Sequence, residues 1–146
     1  MGKSVSLTVY KRGQLAKLTS CNSETIRYYE KINLLPEPTR GSNGYRYYNN
    51  DHLQRLGFIM KSKSLGFSND KIRELLEISR GIGQHTRAEA KALTESHLEQ
   101  VRQRISDLKK IETTLSQILH QCDGANESAD HCPILLSLFD QNSAKV

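Results

Sequence analysis

The sequence contains no run of apolar residues long enough to cross a membrane, and its opening residues, MGKSVSLTVYKRG, lack the apolar core of a secretory signal. Both absences predict a cytoplasmic protein without a membrane partner. Hydrophobic residues are also scarce, at 36% of 146 residues. Because this is little for a compact monomer to bury, the composition favours an oligomer that shares its core between subunits.

Cysteine is rare as well. Cys21, Cys122 and Cys132 are too few and too irregularly spaced for a disulfide framework, so we expect thiols or metal ligands in a reducing compartment. Cys21 falls in a predicted turn, where we expect a small buried side chain. The sequence also lacks a glycine-rich phosphate loop and a supported Ser/His/Asp arrangement, and it is too short to enclose a substrate pocket. These absences argue against an enzyme.

Basic residues are concentrated in the first half of the chain. Residues 1–80 carry 14 Lys and Arg against 7 Asp and Glu, whereas residues 81–146 carry 7 against 9. The first half is therefore where a polyanion such as DNA would bind.

The longest predicted element is a helix over 86–120. Its apolar residues recur every three to five positions and share one stripe: Leu93, Leu98, Val101, Ile105, Leu108, Ile111, Leu115 and Ile118. No proline or glycine interrupts it, and at about 1.5 Å per residue it would be roughly 50 Å long. One apolar stripe on a solvated helix is unstable alone, so we expect it to pair with its twin in a homodimer. Packing within its own chain is the alternative, although few residues follow it.

Two short helices joined by a tight turn are predicted near the N-terminus. The first covers 14–18, and the second begins at Ser23, a plausible N-cap. The buried side of the second helix would hold Ile26, Tyr29 and Ile32. Arg27 and Tyr28 would then face outward, as expected of a helix-turn-helix whose second helix enters a major groove.

A β-hairpin is predicted directly after these helices. Leu34-Leu35-Pro36 ends the second helix, and Asn43-Gly44 lies between two extended runs, as in a tight hairpin turn. Four side chains offer guanidinium forks or phenol hydroxyls, the groups that bind phosphate oxygens beside a groove: Arg40, Tyr45, Arg46 and Tyr48. This predicts a DNA-binding wing. The alternative is an ordinary hairpin whose aromatic residues pack in the core.

The segment after the long helix collects metal-binding residue types. Nine residues separate Cys122 from Cys132, a length that lets both sulfurs reach one ion. The other possible ligands here are His120, Asp123, Glu127, Asp130 and His131. Pro133 then starts a short, strongly apolar helix. The alternative is a solvated acidic loop with two incidental cysteines.

Three motifs resemble the DNA-binding head of the MerR family of bacterial transcription regulators. They are Thr25-Ile26-Arg27-Tyr28-Tyr29-Glu30, Leu34-Leu35-Pro36 and Asn43-Gly44-Tyr45-Arg46-Tyr47-Tyr48. The resemblance covers nearly the whole chain and implies a mainly α fold. A winged helix-turn-helix head would be followed by a long dimerisation helix forming an antiparallel coiled coil, a metal-binding loop and a short C-terminal helix.

The resemblance also divides the chain into four parts. Residues 8–80 would form the DNA-binding domain, 81–121 the hinge and dimerisation helix, 122–140 the metal-binding loop and short helix, and 141–146 a flexible tail. The hinge itself would be Gly81-Ile82-Gly83. Within the head, helices over 51–64 and 69–78 would act as a second wing.

The DNA contacts implied by the resemblance lie on three parts of the head. Ser23, Arg27 and Tyr28 belong to the recognition helix. The first wing supplies the four residues named above, and Lys61 and Lys63 of the second wing would lie close to phosphate. Gly66-Phe67-Ser68 would supply a helix stop, an apolar anchor and the next N-cap.

The resemblance makes Cys122 and Cys132 the ligands of a metal-sensing loop. The family's divalent sensors commonly place a third cysteine at the start of the partner's long helix, but this chain has Arg87 there, and arginine is no ligand. Asp123 and Glu127 stand where the family's zinc sensors have cysteine and histidine, and both are harder ligands. A lead, cadmium or mercury specificity is therefore not implied.

A mixed ligand set remains. His131 and the partner subunit's His85 are the candidate nitrogen ligands beside the thiolates and carboxylates. Such a set suits a borderline divalent ion, which favours Zn(II), then Ni(II) or Co(II), with Cu(I) as the alternative.

The sequence thus predicts a dimeric, metal-responsive transcription regulator that binds an inverted-repeat promoter. As the resemblance implies, metal binding would make the dimer distort the promoter so that RNA polymerase, contacted through the DNA, engages an overlong spacer. The alternatives are a Cu(I)- or Ag(I)-responsive regulator, a sensor of thiol-reactive compounds that uses a cysteine as nucleophile, and a metal-trafficking protein with an incidental basic head.

Overall fold

The computed structural model describes residues 8–81 and 85–140. The chain divides into two compact units, with the boundary after Lys91. Of the predicted hinge only Gly81 is described, with a left-handed φ of 62°. Ile82, Gly83 and the predicted tail at 141–146 lie outside the described residues.

The described chain is mainly helical, as predicted. In chain order its elements are α1 (Arg12–Leu18), α2 (Ser23–Lys31), β1 (Thr39–Arg40), β2 (Arg46–Tyr47), α3 (Asn50–Ser64), α4 (Asn69–Ser79), α5 (Arg87–His120), a 3₁₀ turn (Ala129–His131) and α6 (Pro133–Phe139). The long helix was predicted to within one residue. The 3₁₀ turn was not predicted.

α1 and α2 form the predicted helix-turn-helix. The side chain of Asn22 accepts a hydrogen bond from the Thr25 N–H at 2.7 Å, so Asn22 is the N-cap of α2. The expectation that Ser23 caps this helix is wrong by one position, because asparagine caps as well as serine does and stands one residue earlier. Leu15 and Ile26 are fully buried between the two helices and the rest of the head.

The hairpin after α2 is antiparallel, with Thr39 opposite Tyr47 and Arg40 opposite Arg46. Gly44 occupies its tip with a φ of 78°, the left-handed conformation that the Asn-Gly turn predicts. Tyr10 adds an isolated bridge to Tyr48, which ties the start of the head to the end of the hairpin.

α3 and α4 pack against each other, and their buried residues join those of α1 and α2 in the core of the head. Ser68 caps α4 by accepting from the Lys71 N–H, Gly66 ends α3 with a φ of 85°, and Phe67 is buried between them. These three roles confirm the reading of Gly66-Phe67-Ser68. α3 also contacts the end of α2, where Arg55 Nε donates to the Leu34 carbonyl at 2.7 Å.

α5 is a 34-residue helix on which no side chain is buried within the single chain. Thr86 and Glu89 form a capping box at its start, since the Glu89 N–H donates to Thr86 Oγ1 and the Thr86 N–H donates to Glu89 Oε2. Its predicted stripe is solvent-exposed over much of its length, at Leu98, Ile105, Leu108, Ile111 and Leu115. A second subunit is the covering that such a stripe requires.

The end of α5 and α6 enclose a shallow apolar groove of about 430 Å³, to which Leu115, Leu119 and Ile134 contribute. α6 begins at Pro133, as predicted, and leaves Leu136, Leu138 and Phe139 exposed. Among the helices of 8–81 and 85–140, none combines the length and apolar character needed to cross a bilayer.

Candidate functional site

A basic groove of about 610 Å³ runs between α2 and the hairpin. Its lining carries six basic and two acidic side chains: Lys11, Arg12, Arg27, Lys31, Arg40 and Arg46, with Glu30 and Glu37. Such a surplus of cations beside an outward-facing helix suits the DNA backbone. The sequence analysis did not select Lys11, Arg12 or Lys31 as contacts, although all belong to its basic half.

Several predicted DNA contacts face solvent, and Arg27, Arg40 and Tyr45 among them line this groove. Tyr28 is 48% exposed and Tyr45 67% exposed, while Arg27 pairs with Glu24 at 3.2 Å on the outer surface of α2. Arg40 is exposed on β1. α2 and the hairpin thus bring these predicted residues to one side of the head.

The predicted contacts in the second wing and at the start of α2 are placed differently. Lys61 and Lys63 are exposed in the last turn of α3, away from the side chains that line the groove. Ser23 is partly buried at the first position of α2.

Tyr48 does not have the position that a DNA contact needs. Its side chain is fully buried, and its hydroxyl accepts from Arg12 Nε at 3.1 Å and donates to Glu30 Oε1 at 2.5 Å. Burial raises the pKa of the phenol, and so does the bond to Glu30, which keeps Tyr48 protonated as a donor. Tyr48 therefore supports the wing from inside the core, as the alternative reading of the hairpin allowed for some of its tyrosines.

A buried carboxylate joins α2 to the hairpin. Glu30 is 7% exposed, and its second oxygen accepts from Arg46 Nη1 at 2.9 Å. Sequence reasoning quoted Glu30 only as part of a motif and gave it no role. The available signal was its position, four residues after Ile26 on the buried side of α2, where an unpaired carboxylate would be costly.

A second link ties the recognition helix to α4. Asn69 Nδ2 donates to the Tyr28 hydroxyl at 3.2 Å. Tyr28 therefore faces solvent with its hydroxyl already oriented. Asn69 was also missed, because a residue at the start of a helix gives no sign of a partner 41 positions away.

The cysteine loop brings its two thiols together. Cys122 lies close enough to Cys132 to act on its thiol, and so do the backbone N–H groups of Leu135 and Ile134. The Leu135 N–H has the largest effect and lowers the pKa of the Cys132 thiol. Desolvation opposes it, and Ile134 and Cys122 lower the pKa further, so the net shift is downward. A lowered pKa favours the thiolate, the form of cysteine that binds metal ions.

The other predicted ligands do not join the two sulfurs. Asp123 accepts from the Ala125 N–H at 3.0 Å, and Asp130 accepts from Ser128 Oγ at 2.7 Å, so both carboxylates make local turns. Glu127 and His131 are exposed. Over 8–81 and 85–140, no three His, Cys, Asp or Glu side chains converge as a metal site would require.

His85 lies at the start of α5, where its Nδ1 is 2.6 Å from Glu89 Oε2. Its other ring nitrogen is left for further contacts. Cys21 is a free thiol in the turn of the head, partly covered, and burial raises its pKa. Cys21 thus fits the small packed residue that the sequence analysis expected.

The helix-turn-helix, the hairpin and the basic groove define a DNA-binding regulator rather than an enzyme. The model of the family described as MerR HTH family regulatory protein matches residues 10–78, and that of MerR, DNA binding matches residues 53–118. The chain belongs to the MerR family, so it binds promoter DNA and acts as a dimer.

Known proteins resemble the chain over most of their length. It is 38% identical to the HTH-type transcriptional regulator ZntR of Escherichia coli K12 over 130 residues, or 89% of this chain and 92% of that protein. It is 37% identical to the mercuric resistance operon regulatory protein of Bacillus cereus, over 89% and 97% of the two chains. The crystal structure of the transcription regulator PbrR691 from Ralstonia metallidurans CH34 in complex with lead(II) matches with a TM-score of 0.73 and 35% identity, over 88% and 98%.

Proposed function

We propose that this protein is a cytoplasmic, metal-responsive regulator that binds an inverted-repeat promoter and distorts the DNA when its cysteine loop binds a metal ion. The juxtaposition of Cys122 and Cys132 carries the proposal. Relatives named for mercury resistance or solved with lead support a metal effector in general.

The basic groove supplies the DNA-binding surface of this proposal. Arg27 lines it from the recognition helix, and Arg40, Tyr45 and Arg46 line it from the hairpin. Tyr28 is exposed on the same helix. Cationic forks and hydroxyls of this kind position a protein on the phosphate backbone, while the outward face of the recognition helix reads base edges. Two heads related by a two-fold axis would match an inverted repeat. Lys61 and Lys63 remain proposed phosphate contacts of the second wing.

The metal would be held by the two sulfurs first. We favour Zn(II), then Ni(II) or Co(II), because the loop and its surroundings hold carboxylates and imidazoles: Asp123, Glu127, His131 and the partner subunit's His85. A divalent ion of this class takes four ligands of mixed type. Completing that set requires Asp123 to leave its hydrogen bond to the Ala125 N–H and the exposed Glu127 and His131 to turn toward the sulfurs.

A monovalent soft ion is the second candidate, and one observation favours it. In the described residues of a single chain only the two thiols meet, with no third His, Cys, Asp or Glu beside them. Two sulfurs without further ligands suit Cu(I) or Ag(I). Metal stoichiometry and ligand number therefore decide between the two forms of the proposal.

The test is metal analysis of the purified dimer together with metal titrations of promoter binding and transcription. If the effector is a divalent ion, Zn(II), Ni(II) or Co(II) at micromolar concentration should change the distortion of the promoter. The absorption spectrum of the Co(II) form should then indicate nitrogen or oxygen ligands beside sulfur. One Cu(I) per loop with two sulfur ligands, and indifference to the divalent ions, supports the monovalent reading instead. Absence of any metal response, combined with loss of activity when Cys122 or Cys132 is alkylated, points to a sensor of thiol-reactive compounds. A metal-trafficking protein would bind metal without selecting a DNA sequence.

A further inference from the structure

We infer that Glu30 is a positioning residue for sequence-selective DNA binding. It would orient the guanidinium of Arg46 in the basic groove. Its negative charge would lower the affinity for DNA of any sequence, while the fixed guanidinium would increase the discrimination between sequences. The inference rests on the proposed DNA interface and adds a residue that reduces the positive charge of that interface.

Both oxygens of the Glu30 carboxylate have hydrogen-bond partners. One carboxylate oxygen accepts from Tyr48 and the other from Arg46 Nη1, and Tyr48 is itself held by Arg12. Because the carboxylate is 7% exposed and Tyr48 is fully buried, this end of the network belongs to the core. One residue of α2 thus fixes one residue of β2 through a charge-assisted bond.

The other end of the network faces the groove. The Arg46 side chain is 33% exposed and pairs with Glu30 through a single nitrogen, so its remaining donors are free to meet a phosphate oxygen. A guanidinium held at one nitrogen presents the others in a fixed direction. That fixes the distance and angle between the recognition helix and the phosphate that the wing contacts, which sets the register of the helix in the major groove.

The same carboxylate lowers the attraction of the groove for any polyanion. Non-specific binding depends on the number of phosphates that cations neutralise, and it does not require a particular geometry. Selective binding requires both the neutralisation of phosphates and a particular geometry of the contacts. Removing the negative charge of Glu30 while leaving Arg46 in place should therefore affect the two kinds of binding in opposite directions.

Glu30→Gln is the direct test. An amide presents an NH2 donor in place of one carboxylate oxygen, so Tyr48 and Arg46 can no longer each donate to an oxygen of their own. The full-length dimer is measured against two probes: a duplex that the natural chain enriches from a random pool, and a scrambled duplex of equal composition. We expect about tenfold weaker binding to the enriched duplex, the loss typical of one charge-assisted hydrogen bond, with equal or tighter binding to the scrambled one.

Glu37→Gln is the matched control. Glu37 lines the same groove and is exposed, and it takes part in no ion pair within the described residues. Its removal makes the same change in charge without touching the network. If both variants shift both probes equally, Glu30 acts only through its charge and the inference is overturned.

Arg46→Lys keeps the test decisive even if Glu30→Gln does not fold. Lysine retains the charge but lacks the fork, so discrimination should fall while binding to the scrambled duplex persists. The Glu30→Gln, Arg46→Lys double variant should lose no more than either single variant. Full discrimination in Arg46→Lys contradicts the inference. A natural chain that enriches no duplex overturns the proposed DNA interface itself, which separates that failure from this one.

Discussion

Arg73 of α4 donates a hydrogen bond from Nη2 to the carbonyl oxygen of Ile32, 2.8 Å away and just past the last residue of the recognition helix. Its Nη1 donates to the Asn33 carbonyl at 3.1 Å. Carbonyls at a helix C-terminus lack partners within the helix and carry partial negative charge, so a guanidinium there satisfies both needs. The contact joins α4 to α2 across 41 positions of sequence.

Arg73→Ala should destabilise the head. Two hydrogen bonds from a charged donor disappear and one accepting carbonyl is partly buried, so we expect the free energy of unfolding to fall by about 1–2 kcal/mol. Urea denaturation followed by circular dichroism at fixed protein concentration measures it. Lys71→Ala is the control, since its exposed pair with Glu74 is worth no more than about 0.5 kcal/mol. Equal effects of the two variants would refute the capping role.

Arg46→Ala should weaken binding to all DNA sequences by about 1–3 kcal/mol and reduce the salt slope by about one unit. Unlike the lysine variant, it removes the charge as well as the fork. Affinity is measured for the enriched and scrambled duplexes from about 50 to 200 mM salt. An unchanged slope would mean that the wing does not contact the phosphate backbone.

Ile105→Asp should convert the dimer to monomers. Ile105 is 48% exposed in the single chain and lies on the α5 stripe, so a charge there would be buried at a cost of several kcal/mol when the twin helix packs against it. Sedimentation velocity should then report monomers with little affinity for the promoter. Ser96→Asp, an exposed change away from the stripe, should remain dimeric. A dimer that survives Ile105→Asp would place the interface on another surface.

Cys122→Ser and Cys132→Ser should each abolish the metal response, because a serine hydroxyl does not replace a thiolate at such a site. Promoter binding without metal should persist, since the loop belongs to the second compact unit and the groove to the first. A filter-binding assay with and without metal measures both properties. Cys21→Ser is the matched control and should keep its response. Retention of the response in either loop variant would exclude the two-sulfur site.

His131→Ala separates the two candidate metals. If a divalent ion recruits the imidazole, the metal concentration for half-maximal response should rise by about tenfold, as for loss of one ligand or its support. A two-sulfur Cu(I) site should be unaffected, because it has no place for a nitrogen ligand. The titration is run with Zn(II) and with buffered Cu(I).

Local patterns predicted the elements well and the long-range contacts poorly. The α5 stripe, the Asn43-Gly44 turn and the Gly66-Phe67-Ser68 connection each depend on residues close in sequence, and each was confirmed. The Glu30–Arg46, Tyr28–Asn69 and Arg73–Ile32 contacts join residues 16 to 41 positions apart, and no local pattern indicates them. Tyr48 was misjudged as a DNA contact for the same reason, since only the packing of α1, α2 and β2 decides which tyrosine of the wing is buried.

Arg55 and Arg73, which donate to backbone carbonyls just after the recognition helix, have a consequence for how the promoter preference can change. Both arginines bind main-chain carbonyls, which every residue type supplies. These contacts to α2 and the residues after it therefore do not depend on the side chains of the helix. The outward residues of α2 at positions 24, 27 and 31 are therefore open to exchange without loss of these contacts, whereas Tyr28 also holds α2 to Asn69 of α4. Substitution at those three positions is the route by which selection, natural or in the laboratory, would change the promoter that this head recognises.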